Sequence, residues 1–345
     1  MYPWLEENWR QIRLGIDRLP PALMFVGPAG LGKLELALAT ARALRCPSPV
    51  DGAGCLACAT CAAMTGGNDP DLHLVTTERF ALDLDEAPQR FASRYLDLAE
   101  GGKKGRKPRE VIAVDQVRLL IERLSTHGAG RGPRIAVIVP AAALNVNAAN
   151  ALLKILEEPP GDARFLLVGS GRDTVPATIL SRVAVVECRV PDRSKALEWL
   201  VGAGADAEQA GDLLGLAAGA PLAARRLLAE GVGERLPEWR SRLARLLSGE
   251  LLPVAAAAGI GADAGRFLLF LETLLGDALL ARAELADRAS LAGGGAGNAE
   301  LLWRLQSVPV WDIIEKIQYY RRCQQRVVDE QLFLEDVLLA LWQKN

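Results

Sequence analysis

The chain carries no strong excess of charge: 40 Lys and Arg stand against 42 Asp and Glu, for a formal net charge of −2. That balance excludes a protein whose whole surface grips nucleic acid, although it leaves room for a local basic patch. The opening Met1-Tyr-Pro-Trp-Leu-Glu-Glu7 lacks a basic segment followed by an apolar one, so no signal peptide is expected. No long apolar run of membrane-spanning length escapes interruption by charge, so no membrane span is expected and the cytoplasm is the expected location. What remains is an ordinary soluble composition, 50% hydrophobic and 24% charged. At 345 residues the chain is too long for one common core, and two or three domains are expected.

Histidine is scarce, with two residues, and neither His73 nor His127 sits in a ligand pattern; His73, in Asp69-Pro-Asp-Leu-His, reads as structural. Cysteine is the exception. Four of six fall close together as Cys46-x₈-Cys55-x₂-Cys58-x₂-Cys61, with Pro47, Pro49, Gly52 and Gly54 turning the intervening loop. In a chain without a secretion signal such clustering favours metal over disulfides, and four thiolates at short spacing suit tetrahedral Zn²⁺. With sulfur at all four positions no place is left for a reactive water, so the expected site is structural. A redox pair fits the fourth thiol poorly, and an iron–sulfur cluster fits the compact loop poorly. Cys188 and Cys323 read as core thiols.

Short apolar runs at Ala22–Val26, Leu72–Val75, Arg134–Val139, Arg164–Val168 and Ala184–Cys188 read as strands of a parallel five-stranded sheet covered on both faces. Helical patterns lie between them at Leu34–Leu44, at Val114–Leu124 with Val114, Val117, Ile121 and Leu124 on one face, and at Ala148–Glu158, which Pro159-Pro160 must end. Glu78–Glu110 fits neither period, and its latter part, with Lys103, Lys104, Arg106, Lys107 and Arg109, reads as a solvated basic loop able in principle to meet phosphates. Beyond Val190 the chain is helical, first at Ser194–Leu200, Ala207–Ala217 and Pro221–Ala229, then from about Glu234 with breaks near Gly249, Gly259–Gly261 and Gly293–Gly295. The last two helices carry apolar stripes that read as core or helix–helix interface, one of Trp311, Ile314, Ile317, Tyr319 and Tyr320, the other of Leu332, Leu334, Val337, Leu338 and Leu341.

Gly27-Pro-Ala-Gly30-Leu-Gly32-Lys33-Leu34 follows a strand and opens a helix, the context a phosphate loop requires. Glycines let backbone N–H groups face phosphate oxygens, the helix N-terminus adds positive potential, and Lys33 would reach the terminal phosphates. The next position should carry a hydroxyl for Mg²⁺; it is Leu34. The strand expected to supply metal-binding carboxylates instead runs Val139-Pro140-Ala141. Cleavage of ATP by this chain is therefore not expected, while binding of a nucleotide without cleavage stays open.

Together these pieces resemble the bacterial clamp-loader branch of the AAA+ ATPases. Asn150-Ala-Leu-Leu-Lys154-Ile-Leu-Glu157-Glu158-Pro159-Pro160 looks like that branch's NALLKxLEEPP signature, and Thr178-Ile-Leu-Ser181-Arg182-Val183 is similar to its TILSRC motif. The inserted cysteine loop occurs in the same branch. Leu34, Val139-Pro140, and Leu222 where motors carry a sensor arginine, together with Tyr2-Pro3-Trp4-Leu5 and Leu332–Trp342, point to a non-motor member. The resemblance implies an AAA+ α/β domain over residues 1–189, a small helical lid over 190–232 and an all-α collar over 233–345 that joins a five-subunit ring. It implies as partners the motor (gamma/tau) and delta subunits and, through the complex, the sliding clamp and primed DNA, within a DNA polymerase III holoenzyme. It also implies that Arg182 reaches into a neighbouring subunit's ATP site. The rival readings are an active motor ATPase and a zinc-stabilised DNA-binding module.

Overall fold

A computed structural model describes residues 1–96, 107–126, 132–285, 296–305, 308–323 and 329–342. Two compact units divide it, Met1–Val190 and Pro191–Asn345.

In the first unit, helices α1 (Glu6–Leu14), α2 (Lys33–Arg45), α3 (Ala59–Thr65), α4 (Glu78–Ala81), α5 (Glu86–Ser93), α6 (Val114–Ser125), α7 (Val146–Glu157) and α8 (Ala177–Leu180) surround strands β1 (Ala22–Val26), β2 (Leu72–Val75), β3 (Arg134–Ile138), β4 (Ala163–Gly169) and β5 (Ala184–Glu187). All strands pair in parallel, in the order β2-β3-β4-β1-β5. β1 is therefore flanked by β4, through Leu23 opposite Leu166, and by β5, through Val26 opposite Glu187. Every residue of β1 is buried, which explains its uninterrupted Ala-Leu-Met-Phe-Val run. This is the expected AAA+ α/β architecture, with the glycine loop at the carboxyl end of a central strand, where open parallel sheets bind ligands.

The strands fall within a residue or so of the periodicity-based bounds, since a buried apolar run between breakers leaves little freedom. The helices of 78–93 were not legible. Thr77 caps α4 by accepting the Phe80 amide, and α5 covers the β2 edge with fully buried Phe91. In α6 the buried face is Val117, Leu120 and Leu124, with Val114 and Ile121 only half-buried, a rotation set by packing on α7. Residues 103–106 of the basic stretch and His127 lie outside the described residues. Arg109 sits beside Glu78, whose carboxylate accepts the Arg109 amide at 2.9 Å.

The second unit comprises α9 (Arg193–Gly202), α10 (Ala207–Leu216), α11 (Pro221–Ala229), α12 (Val232–Leu247), α13 (Pro253–Ile260), α14 (Ala264–Arg282), α15 (Ala296–Leu305), α16 (Val310–Cys323) and α17 (Glu330–Trp342). Their buried side chains, from Ala196 to Leu341, form one cluster with Trp239, Phe267 and Phe270 stacked at angles inside it. A buried polar tie links α10, α12 and α15: Arg240 donates to Asp212 at 2.6 Å and to Asn298 at 2.7 Å. Only part of the stripe on α16 belongs to this core. Ile313, Ile314, Ile317 and Tyr320 face the core, whereas Trp311 and Tyr319 are exposed, and on α17 Leu332 is exposed as well. A helix of period 3.6 cannot bury neighbours on opposite sides, and only packing chooses the side. Among the described residues one segment, Pro253–Arg282, is long and apolar enough to cross a membrane; it is broken at Gly261 into α13 and α14, and its buried side chains belong to this core.

Candidate functional site

The glycine loop, expected from its sequence to be a phosphate loop, leaves β1 at Gly27. A Cβ there would stand 2.2 Å from the Cys188 carbonyl oxygen, so glycine is required for the loop to pass the chain leaving β5. Gly30 and Gly32 take φ of 79° and 82°, the left-handed region that glycine tolerates, and Gly32 caps α2. The loop satisfies itself with its own groups. Lys33 is buried, and its ammonium donates to the Pro28 carbonyl at 2.5 Å. Burial pulls its pKa below the ordinary lysine value, with nearby Cys188 and Glu35 acting the other way. From above, the Trp4 indole N–H donates to the Leu31 carbonyl at 2.9 Å, and Tyr2 stacks on Trp4 at 5.1 Å. Cys188 is buried against the loop, and desolvation pushes its thiol up to about 11. Leu34, the first residue after the lysine, offers no ligand atom for a cation, and β3 leads through a cis Val139-Pro140 bond into Ala141–Ala143.

At the other end of α2 the four cysteines converge, their sulfurs all within 4.8 Å of one another. Cys46 and Cys58 Sγ atoms are 3.9 Å apart. A disulfide needs about 2.05 Å, whereas a tetrahedron with Zn–S bonds of about 2.3 Å has edges of about 3.8 Å. The donor set therefore fits a four-coordinate metal ion, held by Cys46, Cys55, Cys58 and Cys61. Backbone amides orient it: Cys55 N–H donates to Cys46 Sγ at 3.4 Å, Cys58 N–H to Cys55 Sγ at 3.3 Å and Cys61 N–H to Cys58 Sγ at 3.4 Å. The amides of Ala57 and Cys58 hold the Cys55 thiol down to about 6, while burial raises Cys61 to about 12, so a metal bound here would have to complete deprotonation of Cys61 by its own charge. The loop is fastened to α1, where Gly52 comes too close to the Arg13 carbonyl for any side chain.

Cys46 is itself placed by its neighbour. Arg45 is buried and donates to Asp69 and Asp71 at 3.1 Å each and to the Pro133 carbonyl at 2.8 Å, tying the end of α2 to the entry of β2. Next to this clamp the buried His73 Nδ1 lies 2.6 Å from the Tyr95 hydroxyl. Burial, with help from Arg94 and Arg123, lowers His73 to about 4, and burial raises Tyr95 to about 12, so a neutral phenol and a neutral imidazole share this hydrogen bond.

Arg182 follows α8 at a corner between buried Ile179 and Val183, and its side chain is 32% exposed. Its Nε donates to Glu157 Oε1 at 2.7 Å and Nη2 contacts the same oxygen; Nη1 donates to the Thr178 carbonyl at 2.8 Å and the Ser181 hydroxyl at 3.0 Å. The fold thus joins the two motifs that carried the family resemblance, Glu157 from one and Arg182 from the other. Sequence reasoning named Arg182 without its carboxylate, and missed the Arg45 clamp and the contacts of Trp4 and Cys188 with the glycine loop. Asp69-Pro-Asp71 was the available hint for the Arg45 clamp, since two acids ahead of a strand need a buried cation.

Residues 7–192, more than half of the chain, match the family model described as DNA polymerase III, delta subunit. DNA polymerase III subunit delta′ of Pseudomonas aeruginosa is 35% identical over 253 residues, covering 73% of this chain and 68% of that protein. The Escherichia coli subunit of the same name is 29% identical over 263 residues, 71% of this chain and 70% of that one. Among solved structures, a DNA polymerase III gamma subunit-related protein of Thermotoga maritima is similar at 17% identity with a TM-score of 0.43, covering 97% of this chain and 99% of that chain, a likeness too distant to weigh in the assignment. The sequence matches place this chain in the delta′ family of DNA polymerase III subunits.

Proposed function

We propose that this chain is a non-hydrolysing stator of a clamp loader. In that role residues 190–232 act as the lid and 233–345 as the collar that joins the ring, beside motor (gamma/tau) and delta subunits in the cytoplasm. The assembled complex opens the sliding clamp and places it on primed DNA. The chain's own contribution to ATP turnover is Arg182, which enters the neighbouring motor's site, where a guanidinium stabilises charge on the transferring phosphoryl group. The observation that carries this reading is the corner at Arg182: a partly exposed guanidinium, anchored by buried flanking residues, on the motif that the family uses for this purpose.

Two further features support it. Gly27, Gly30, Gly32 and Lys33 remain, yet Lys33 is engaged with its own loop, and neither Leu34 nor the end of β3 offers a Mg²⁺ ligand. The thiols of Cys46, Cys55, Cys58 and Cys61 would hold a structural Zn²⁺, which supplies folding energy and leaves no open position for catalysis.

The test is reconstitution with motor and delta subunits, measuring ATP turnover in the presence of clamp and primed DNA. Arg182→Ala should slow hydrolysis at the adjacent motor by on the order of 10³-fold, as removal of arginine fingers does elsewhere. Unchanged single-turnover hydrolysis at that site would reject the role.

A further inference from the structure

We infer that Glu157 is an intramolecular substitute for a phosphate oxygen, which parks Arg182 until a nucleotide-loaded neighbour displaces it. The inference rests on the trans-arginine reading above and adds a control to it.

A guanidinium has five N–H donors, and the edge formed by Nε and Nη2 is one of the forks with which arginine grips carboxylates and phosphates. In Arg182 that whole edge is given to one oxygen of Glu157. The remaining nitrogen, Nη1, is held from behind by the Thr178 carbonyl and the Ser181 hydroxyl. These rear contacts come from the short helix that precedes Arg182, whose amide donates to the Ile179 carbonyl at 2.9 Å. They need no change when the fork changes partner. Glu157 is the last residue of α7, with Ile155 and Leu156 buried behind it and a Pro-Pro pair ahead. Its backbone is therefore fixed, and only its side chain is free to move aside.

Charge gives the pairing its consequence. Arg182 and Glu157 together present no net charge to an approaching phosphate, and a carboxylate left on the fork would repel it. Stabilisation of the neighbour's phosphoryl group therefore requires release of Glu157 as well as proximity of Arg182. The exchange is easy because both side chains are partly solvated, 32% and 51% exposed, and such ion pairs are weak. Glu157 is in this sense a positioning residue with a restraining effect: it orders the fork and delays its use.

The test uses the reconstituted complex of this chain with motor and delta subunits. Glu157→Gln keeps the shape and removes the charge. It should raise ATP turnover without clamp and DNA by roughly 2- to 5-fold, the range a weak exposed ion pair allows, and Glu157→Ala should move it the same way. Raised ionic strength should narrow the difference from the unaltered protein, because the pair is screened. Adding Glu157→Gln to Arg182→Ala should change nothing further. Thermal melts of each variant alone check that the fold is kept. Slowed or unchanged turnover in both Glu157 variants, while Arg182→Ala slows hydrolysis, would overturn the parking role and leave the trans arginine standing. If Arg182→Ala has no effect, the underlying reading fails, and this one with it.

Discussion

The two ends of helix α2 meet opposite fates. At its start the glycine turn carries left-handed Gly30 and Gly32, the Lys33 ammonium is folded back on the Pro28 carbonyl, and Leu34 offers no hydroxyl. At its end Arg45 and Cys46 are fully engaged, one between two aspartates, the other in a four-sulfur cluster. The difference teaches which parts of a nucleotide fold are demanded by packing. Gly27 is needed because the chain leaving β5 passes against it, whatever the loop binds. Leu34 at the start of the helix carries no such demand, since its side chain is not fixed by the chain leaving β5.

The contrast can be broken hardest at the cysteine end. Removing the metal with a chelator, or replacing Cys58 by Ser, should lower stability by on the order of 5 kcal/mol, since structural zinc supplies folding energy directly. Elemental analysis should find about one zinc per chain beforehand, and a metal-free protein with unchanged melting would remove the site from the argument. Next in size is Arg45→Met, which leaves Asp69 and Asp71 facing each other without their cation. Breaking a buried ion pair in this way costs about 3–5 kcal/mol, readable as a shifted urea midpoint.

A smaller effect belongs to His73, beside the Arg45 clamp. Its folded pKa of about 4 lies below the ordinary histidine value of 6.5, so the unfolded chain binds the extra proton first as pH falls. The stabilising contribution is complete above about 6.5 and is lost between there and about 4, amounting to roughly 3 kcal/mol. His73→Asn should flatten that part of the acid limb in a pH series of denaturation curves. The smallest change is expected at the start of α2. Lys33→Met removes one hydrogen bond and one poorly hydrated charge, leaving an exposed carbonyl to water, so stability should move by less than about 1 kcal/mol. Clamp-stimulated turnover of the complex should also be unaffected; a large loss there would mean that the loop still serves a nucleotide.

Much of the first unit was legible because its signals are local. Ala22–Val26 could only be a buried strand, the glycines after it could only be a turn, and Pro159-Pro160 had to end α7. The same holds for the cysteines, whose spacing alone confines four sulfurs to one loop. By contrast, the sequence could not say which residues of the last two stripes enter this chain's core: Trp311, Tyr319 and Leu332 lie on its surface, because neighbouring apolar residues compete for one side of a helix. The α4 and α5 helices were hidden by their polar length; the Thr77 cap on α4 and buried Phe91 and Ala92 on α5 account for them.

By itself the sequence determined the parallel sheet, the glycine loop with no hydroxyl at Leu34 and no carboxylate at Val139-Pro140, and the four clustered thiols. These are set by residue type and short spacing, which no packing can alter. Tertiary structure alone decided what those groups touch. It turned Lys33 onto Pro28, laid Trp4 across Leu31, drove Arg45 between Asp69 and Asp71, and gave the fork of Arg182 to Glu157, 25 residues earlier in the chain. A buried or half-buried charge takes the nearest available opposite group in space, and distance in space is what a one-dimensional chain does not record.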